Sequence, residues 1–158
     1  MYLWSLEHLD GAGYRQYEIS NVGRPGFESR HNLKYWQDGE WLGFGCGAHS
    51  TRDGVRRKNI SATEEYISRL QNGQSVTAEQ RVLSHDSRLE EALFTGLRLT
   101  AGLDLDSVGR KYETDIWARY AEALQPSLEA GLAVREGARL RLSRNGMLLA
   151  NEVLSVFV

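Results

Sequence analysis

The chain has 158 residues, 41% of them hydrophobic and 25% charged, a balance that calls for a packed core of one medium or two small domains rather than disorder. A formal net charge of −2 gives no general attraction to nucleic acid or anionic lipid. The single cysteine, Cys46, rules out an internal disulfide framework and any multi-cysteine zinc or iron–sulfur site built from this chain alone; with no apolar run near the roughly 20 residues that span a bilayer and no signal peptide pattern, a cytoplasmic protein without a membrane span is expected.

Leu3, Leu6 and Leu9 recur at helical spacing from the first residue onward, and Gly11 and Gly13 close that segment. A chain that opens in mid-rhythm is expected to be a fragment of a longer protein. Tyr14 to Ser20 is rich in aromatic and β-branched residues and predicts a strand. Asn21 to Ser29, with Pro25 and several glycines, predicts a loop. Arg30 to Trp36 follows, then an Asp38-Gly39 turn and a second strand over Trp41 to Phe44 that runs into Gly45-Cys46-Gly47-Ala48-His49-Ser50. A further extended piece is expected near Val55 to Lys58.

Ser61-Ala62-Thr63-Glu64 has the form of a capping box, with Ser61 as N-cap, and opens a helix that Asn72-Gly73 closes. Thr77 to Gln80 repeats the pattern and predicts the start of another helix, running with a break near Ser84 to Ser87 on to Thr100. Short helices are expected over Asp104 to Tyr112 and Ile116 to Ala130. Leu132 to Arg135 and Arg139 to Leu142 flank a Glu136-Gly137 turn and predict a β-hairpin, followed by a last apolar helix. The expected fold class is α/β (α+β), with a helix–hairpin–helix plan of winged-helix type from 86 onward.

A winged helix raises the question of DNA. Residues 86 to 158 hold nine Lys/Arg against eleven Asp/Glu, and the helix over 116–130 carries Glu122 and Glu129, with Asp115 before it, against Arg119. That surface repels phosphate. Arg135, Arg139, Arg141 and Arg144 in and after the hairpin read as the solvated side of an amphipathic ribbon, so a nucleic-acid partner is not expected.

Two segments carry candidate chemistry. Arg30 to Trp36 groups His31 and Asn32 with Tyr35 and Trp36; a neutral imidazole can ligate iron and aromatic rings can wall a planar macrocycle. The bland alternative places His31 at a strand end and the aromatics in the core. In the Gly43 to Ser50 segment, alternating glycines allow close backbone approach to a ligand, where free N–H groups could hold an anion, or simply make a tight bend. No P-loop or dinucleotide spacing accompanies them. Direct pairing of Cys46 with His49 is disfavoured, because residues three apart on an extended segment face opposite sides.

Read together, Tyr14 to Asn21, His31-Asn32-x-x-Tyr35-Trp36 and Leu42 to Ser50 resemble the HemW family of heme chaperones, relatives of oxygen-independent coproporphyrinogen III oxidase. Phe94 to Leu99 and Asn151 to Leu154 resemble the HemN C-terminal domain. The resemblance implies the last αβ elements of an incomplete TIM-type barrel over 1–60, a helical connector over 61–85 and a winged-helix-like domain over 86–158. It implies heme as ligand, with His31 as a heme-iron ligand supported by Asn32, Tyr35 and Trp36, and Gly45, Gly47, Ala48 and His49 lining a cavity. Full-length relatives hold a four-iron four-sulfur cluster through a cysteine triplet and use S-adenosylmethionine. That triplet is absent here, so radical chemistry is expected only in a full-length protein and this chain alone is not expected to be catalytic. The resemblance further implies a heme-recipient protein, and self-association or a covering partner at the truncated barrel edge. A fragment of a coproporphyrinogen oxidase is the alternative reading.

Overall fold

The computed structural model describes all 158 residues. In chain order the elements are α1 (Tyr2–Gly11), β1 (Arg15–Glu18), β2 (Asn21–Gly23), α2 (Arg30–Trp36), β3 (His49–Arg52), β4 (Val55–Asn59), α3 (Thr63–Gln71), β5 (Thr77–Val82), α4 (His85–Gly96), β6 (Leu103–Asp104), α5 (Leu105–Lys111), α6 (Ile116–Glu129), β7 (Ala133–Glu136), β8 (Arg139–Leu142), α7 (Arg144–Leu148) and α8 (Ala150–Leu154), with a closing 3-10 turn over Ser155–Phe157. Contacts divide the chain into two compact units, one made of Met1–Asp38 with Leu89–Val158, the other of Gly39–Arg88. Residues 1–38 thus cluster with the C-terminal segment.

The larger unit is built on α4. Leu89, Leu93 and Leu97 recur every four residues and are fully buried, which places one apolar stripe against α6, β8 and α8. Burying each such leucine contributes roughly 1.5–3 kcal/mol before the entropy of ordering is counted. Tyr120 of α6 meets Phe157 edge to face, with ring centroids 5.0 Å apart. Asp104 and Asp115 cap α5 and α6 by accepting from the Ser107 and Ala118 backbone N–H groups. The sheet order is β6-β8-β7, both pairings antiparallel, with Leu103 opposite Leu140. Three helices and a hairpin thus follow one another as the sequence predicts, but the short strand β6 is added after the first helix, and the last apolar segment is broken into α7, α8 and the 3-10 turn rather than one helix.

The N-terminal part of this unit joins that core through β1. Its chain turns back at Ser20 onto β2, and Glu18 forms a bridge with Leu99. The loop expected over Asn21 to Ser29 therefore begins with a short strand. Ile19 N–H donates to the Arg98 carbonyl and Thr100 N–H to the Tyr17 carbonyl, at 3.0 and 3.1 Å.

The smaller unit is a three-stranded antiparallel sheet, β3-β4-β5, with α3 inserted between its last two strands. Three expectations fail here. Thr77 to Gln80 is part of β5, not a helix start: its partner β4 offers a full ladder from Val55↔Val82 to Asn59↔Thr77, and the segment has no apolar stripe to hold a helix. Trp41 to Phe44 is not a strand; Trp41 alone bridges Thr51, and the chain then leaves the sheet. Ser61 is not the N-cap of α3; Ala62 occupies that position and no side chain caps it. Every strand pairing in the chain is antiparallel, so residues 1–60 do not make a parallel barrel segment among themselves.

Candidate functional site

In the larger unit, Arg30–Trp36 is helical, which corrects the strand-end alternative for His31. Ser29 provides the N-cap, its hydroxyl accepting the Asn32 backbone N–H at 3.3 Å. At the other end Asp38 takes a left-handed backbone, φ 55°, and its carboxylate accepts from the Lys111 ammonium and from the Tyr112 hydroxyl, the latter at 2.6 Å. A helix of seven residues is too short to be stable alone; these two anchors hold it in place.

The helix then sorts the four candidate residues by their four-residue spacing. His31 is exposed, and its ring meets the Tyr35 ring edge to face, centroids 5.1 Å apart and planes at 84°. Asn32 and Trp36 lie one position round. Trp36 is turned toward the protein: the Arg98 guanidinium sits 4.5 Å from its ring centroid. Arg98 in turn bonds Glu18 at 3.3 Å, and the Glu18 side chain is fully buried. Glu18 also accepts from the Ser20 backbone N–H and the Asn21 amide. The structure therefore brings His31 and Tyr35 together on the open side of α2 and assigns Trp36 to a cation–π stack beneath it.

In the smaller unit, the glycine loop is a tight bend whose backbone is already used. Gly43 N–H donates to the Ser50 hydroxyl, Gly45 N–H to the Tyr66 hydroxyl and Gly47 N–H to the Ile60 carbonyl, at 3.0, 3.1 and 2.8 Å. Ala48 N–H turns back to Gly45, and the Ala48 carbonyl accepts from Asn59 N–H. These four donors are engaged within the unit. Gly45 and Gly47 have φ of 98° and 70°, accessible to glycine at little cost. A side chain at Gly43 would sit 2.2 Å from the His49 carbonyl oxygen. Gly45, Gly47 and Ala48 are half-buried, whereas His49 is exposed and lines a groove on the β4–β5 sheet instead. Cys46 is exposed, its sulfur 3.4 Å from the Thr63 hydroxyl. Leu42 and Phe44 beside the loop are exposed, Phe44 to 87%.

Sequence reasoning missed Ser29, Glu18, Arg98 and Asp38 as supports of α2. Ser29 was readable as an N-cap. Glu18 and Arg98 are 80 residues apart, and no local pattern links them.

No helix is long and apolar enough to cross a membrane, and no group of three metal-binding side chains comes together. With one cysteine in the chain, these residues do not fit an iron–sulfur cluster.

Comparison with known proteins places the chain beside the HemN and HemW proteins. Residues 83–149 match the HemN C-terminal domain. The solved structure of coproporphyrinogen III oxidase (HemN) from Escherichia coli, described as a radical SAM enzyme, superposes with a TM-score of 0.76 over 99% of this chain and 39% of that one, at 16% identity; the mixed α/β fold is thus shared with part of HemN. In sequence, the heme chaperone HemW of Lactococcus lactis is 32% identical over all 158 residues, and that of Bacillus subtilis is 32% identical over the same length. The chain is a homologue of the HemW heme chaperones. It spans about two-fifths of their length, 41% and 42% respectively.

Proposed function

We propose that this chain is a heme-binding module of HemW type that holds heme for transfer to a recipient protein, with no radical chemistry of its own. The observation that carries the reading is the exposed His31 imidazole beside the Tyr35 ring on a helix pinned at both ends. An exposed imidazole can ligate iron. The Tyr35 ring offers an edge against one face of a porphyrin, and Asn32 can donate or accept at its rim. Trp36 acts through the helix: stacked under Arg98, it fixes which side of α2 faces outward. His31 would hold the heme iron, with Asn32 and Tyr35 against the ring.

Several finer readings belong to the same proposal. The helix–strand–helix–helix–hairpin order from α4 to β8 supports a winged-helix-like C-terminal domain that covers the mouth of a barrel in longer relatives, with residues 1–60 as the end of that barrel. Exposed Leu42 and Phe44 support a covering partner or self-association at the glycine loop, and the lone cysteine suits a reducing cytoplasm. Nucleic acid has no part in it. Of the hairpin cations, Arg135 lies 3.7 Å from the Trp117 ring centroid, Arg139 donates to the Ala101 carbonyl, and Arg141 and Arg144 pair with Glu136 and Asp10.

Titrating the purified chain with hemin and following the Soret band tests the reading. A saturable shift is expected, weakened at least about tenfold in His31→Ala, the loss of one coordinate bond's worth of discrimination. Binding that is indifferent to His31 would overturn the assignment of the iron ligand, and no saturable binding would overturn the module.

A further inference from the structure

We propose that β5 and the basic groove beside it take up an extended segment of a protein partner in which acidic residues alternate with apolar ones. The inference is independent of the heme reading and rests on three features of the smaller unit.

The first is an open edge. β5 ends the β3-β4-β5 order, so its outer side pairs with no other strand. From Ala78 to Val82 every residue is exposed. An open edge of this length presents alternating N–H and C=O groups, a template for an added strand.

The second is charge. The three strands hold five cations (Arg52, Arg56, Arg57, Lys58 and Arg81) against one carboxylate, Glu79, with Asp53 in the β3–β4 turn as the second. The register puts His49, Lys58 and Glu79 in one cross-strand row and Thr51, Arg56 and Arg81 in the next, on the same face. Lys58 is 3.5 Å from Glu79, while Arg81 has no carboxylate beside it. A groove of about 600 Å³ runs along this part of the sheet.

The third is the alternation itself. The opposite face of β5 carries Ala78, Gln80 and Val82, and Val82 is 78% exposed. Gln80 accepts from Arg57 at 3.0 Å, so its amide oxygen is engaged. A strand added to β5 would set one set of side chains over Arg81 and the other over Val82. Acidic residues suit the first position and β-branched residues the second.

Two rival occupants are less well matched. A second copy of this chain would bring two sheets with the same positive excess edge to edge. A nucleic acid offers phosphate acceptors but no N–H row to complete the backbone ladder. The Trp41 ring is already engaged by Arg56, 5.6 Å from its centroid, and is not open for base stacking on this sheet.

Fluorescence anisotropy with a fluorescein-labelled decapeptide of alternating glutamate and valine provides the test. Saturable binding is expected, weakened about tenfold or more by Arg81→Glu and by raised salt. The same peptide N-methylated at every second residue keeps its charge and loses half its N–H donors; it is expected to bind at least about tenfold more weakly. Equal binding of the two peptides would overturn strand addition whatever the variant does. No binding of the plain peptide, tighter binding of an oligothymidylate of equal charge, or dimerisation through β5 that excludes the peptide would each overturn the proposal.

Discussion

Glu18 is a carboxylate with no exposure at all, and it persists because every demand it makes is met nearby: a backbone N–H from Ser20, the Asn21 amide and the Arg98 guanidinium. An unpaired charge in that position would cost several kcal/mol. The pair also ties β1 to the turn after α4, so the N-terminal hairpin and the C-terminal helices share one polar node beneath Trp36. Asp104 shows the opposite case, a half-buried carboxylate at a helix start. The Ser107 backbone N–H, then the Ser107 hydroxyl, hold its carboxyl below the ordinary 3.8, with Arg139 and Arg110 adding a smaller pull. A folded-state value below the unfolded one means that its stabilisation is present above the unfolded value and is lost as pH falls through the folded one. Urea unfolding of the wild type and of Asp104→Ala should therefore differ most above about pH 4 and converge at lower pH. A difference that does not shrink in acid would show that the charged cap contributes nothing.

Among the elements, α7 depends on a single glycine. A Cβ at Gly146 would lie 1.8 Å from the Leu132 carbonyl oxygen, the same oxygen that accepts the Ser143 N–H at 2.9 Å. Main chain cannot swing aside as a flexible side chain does, so Gly146→Ala should cost about 1–3 kcal/mol. Gly137, at the hairpin turn with φ 61° and no atom near its missing Cβ, should cost about 1–2 kcal/mol from backbone strain alone. Denaturant midpoints of the two variants check this, and a Gly146→Ala protein as stable as the wild type would refute the close packing. Elements held by an apolar period or a tight turn were legible in the sequence: α4 by its leucines, β7–β8 by Glu136-Gly137, α5 by the Asp104 cap. Elements held by partners far away were not. β5 has a capping-box sequence and no buried face, and only the ladder offered by β4 makes it a strand. Trp41 to Phe44 has strand composition but only one residue's worth of partner. At the candidate site the sequence grouped His31 and Tyr35 in one short segment; it could not show that Trp36 faces Arg98, because that depends on a contact 62 positions away in sequence.

For the molecule as a whole, burial is divided unequally. In Gly39–Arg88 the one buried hydrophobic residue is Ile60, whereas the leucines of α4, Leu124, Leu140, Leu142 and Phe157 all lie in the other unit. The smaller unit relies on its ladder and on bonds such as Asn59 to Gly45 and Gly45 to Tyr66, and backbone bonds exposed to water protect little against local opening. The stretch proposed to bind a partner strand therefore belongs to the less stable unit, which suits a surface that must accommodate an incoming chain. Native-state hydrogen exchange tests this directly. Amides paired between β3, β4 and β5 should exchange at least about a hundredfold faster than those of α6 and the centre of α4, equivalent to roughly 3 kcal/mol less opening free energy. Equal protection in both units would mean that they open together, and the division of the core would then not set the stability of the sheet.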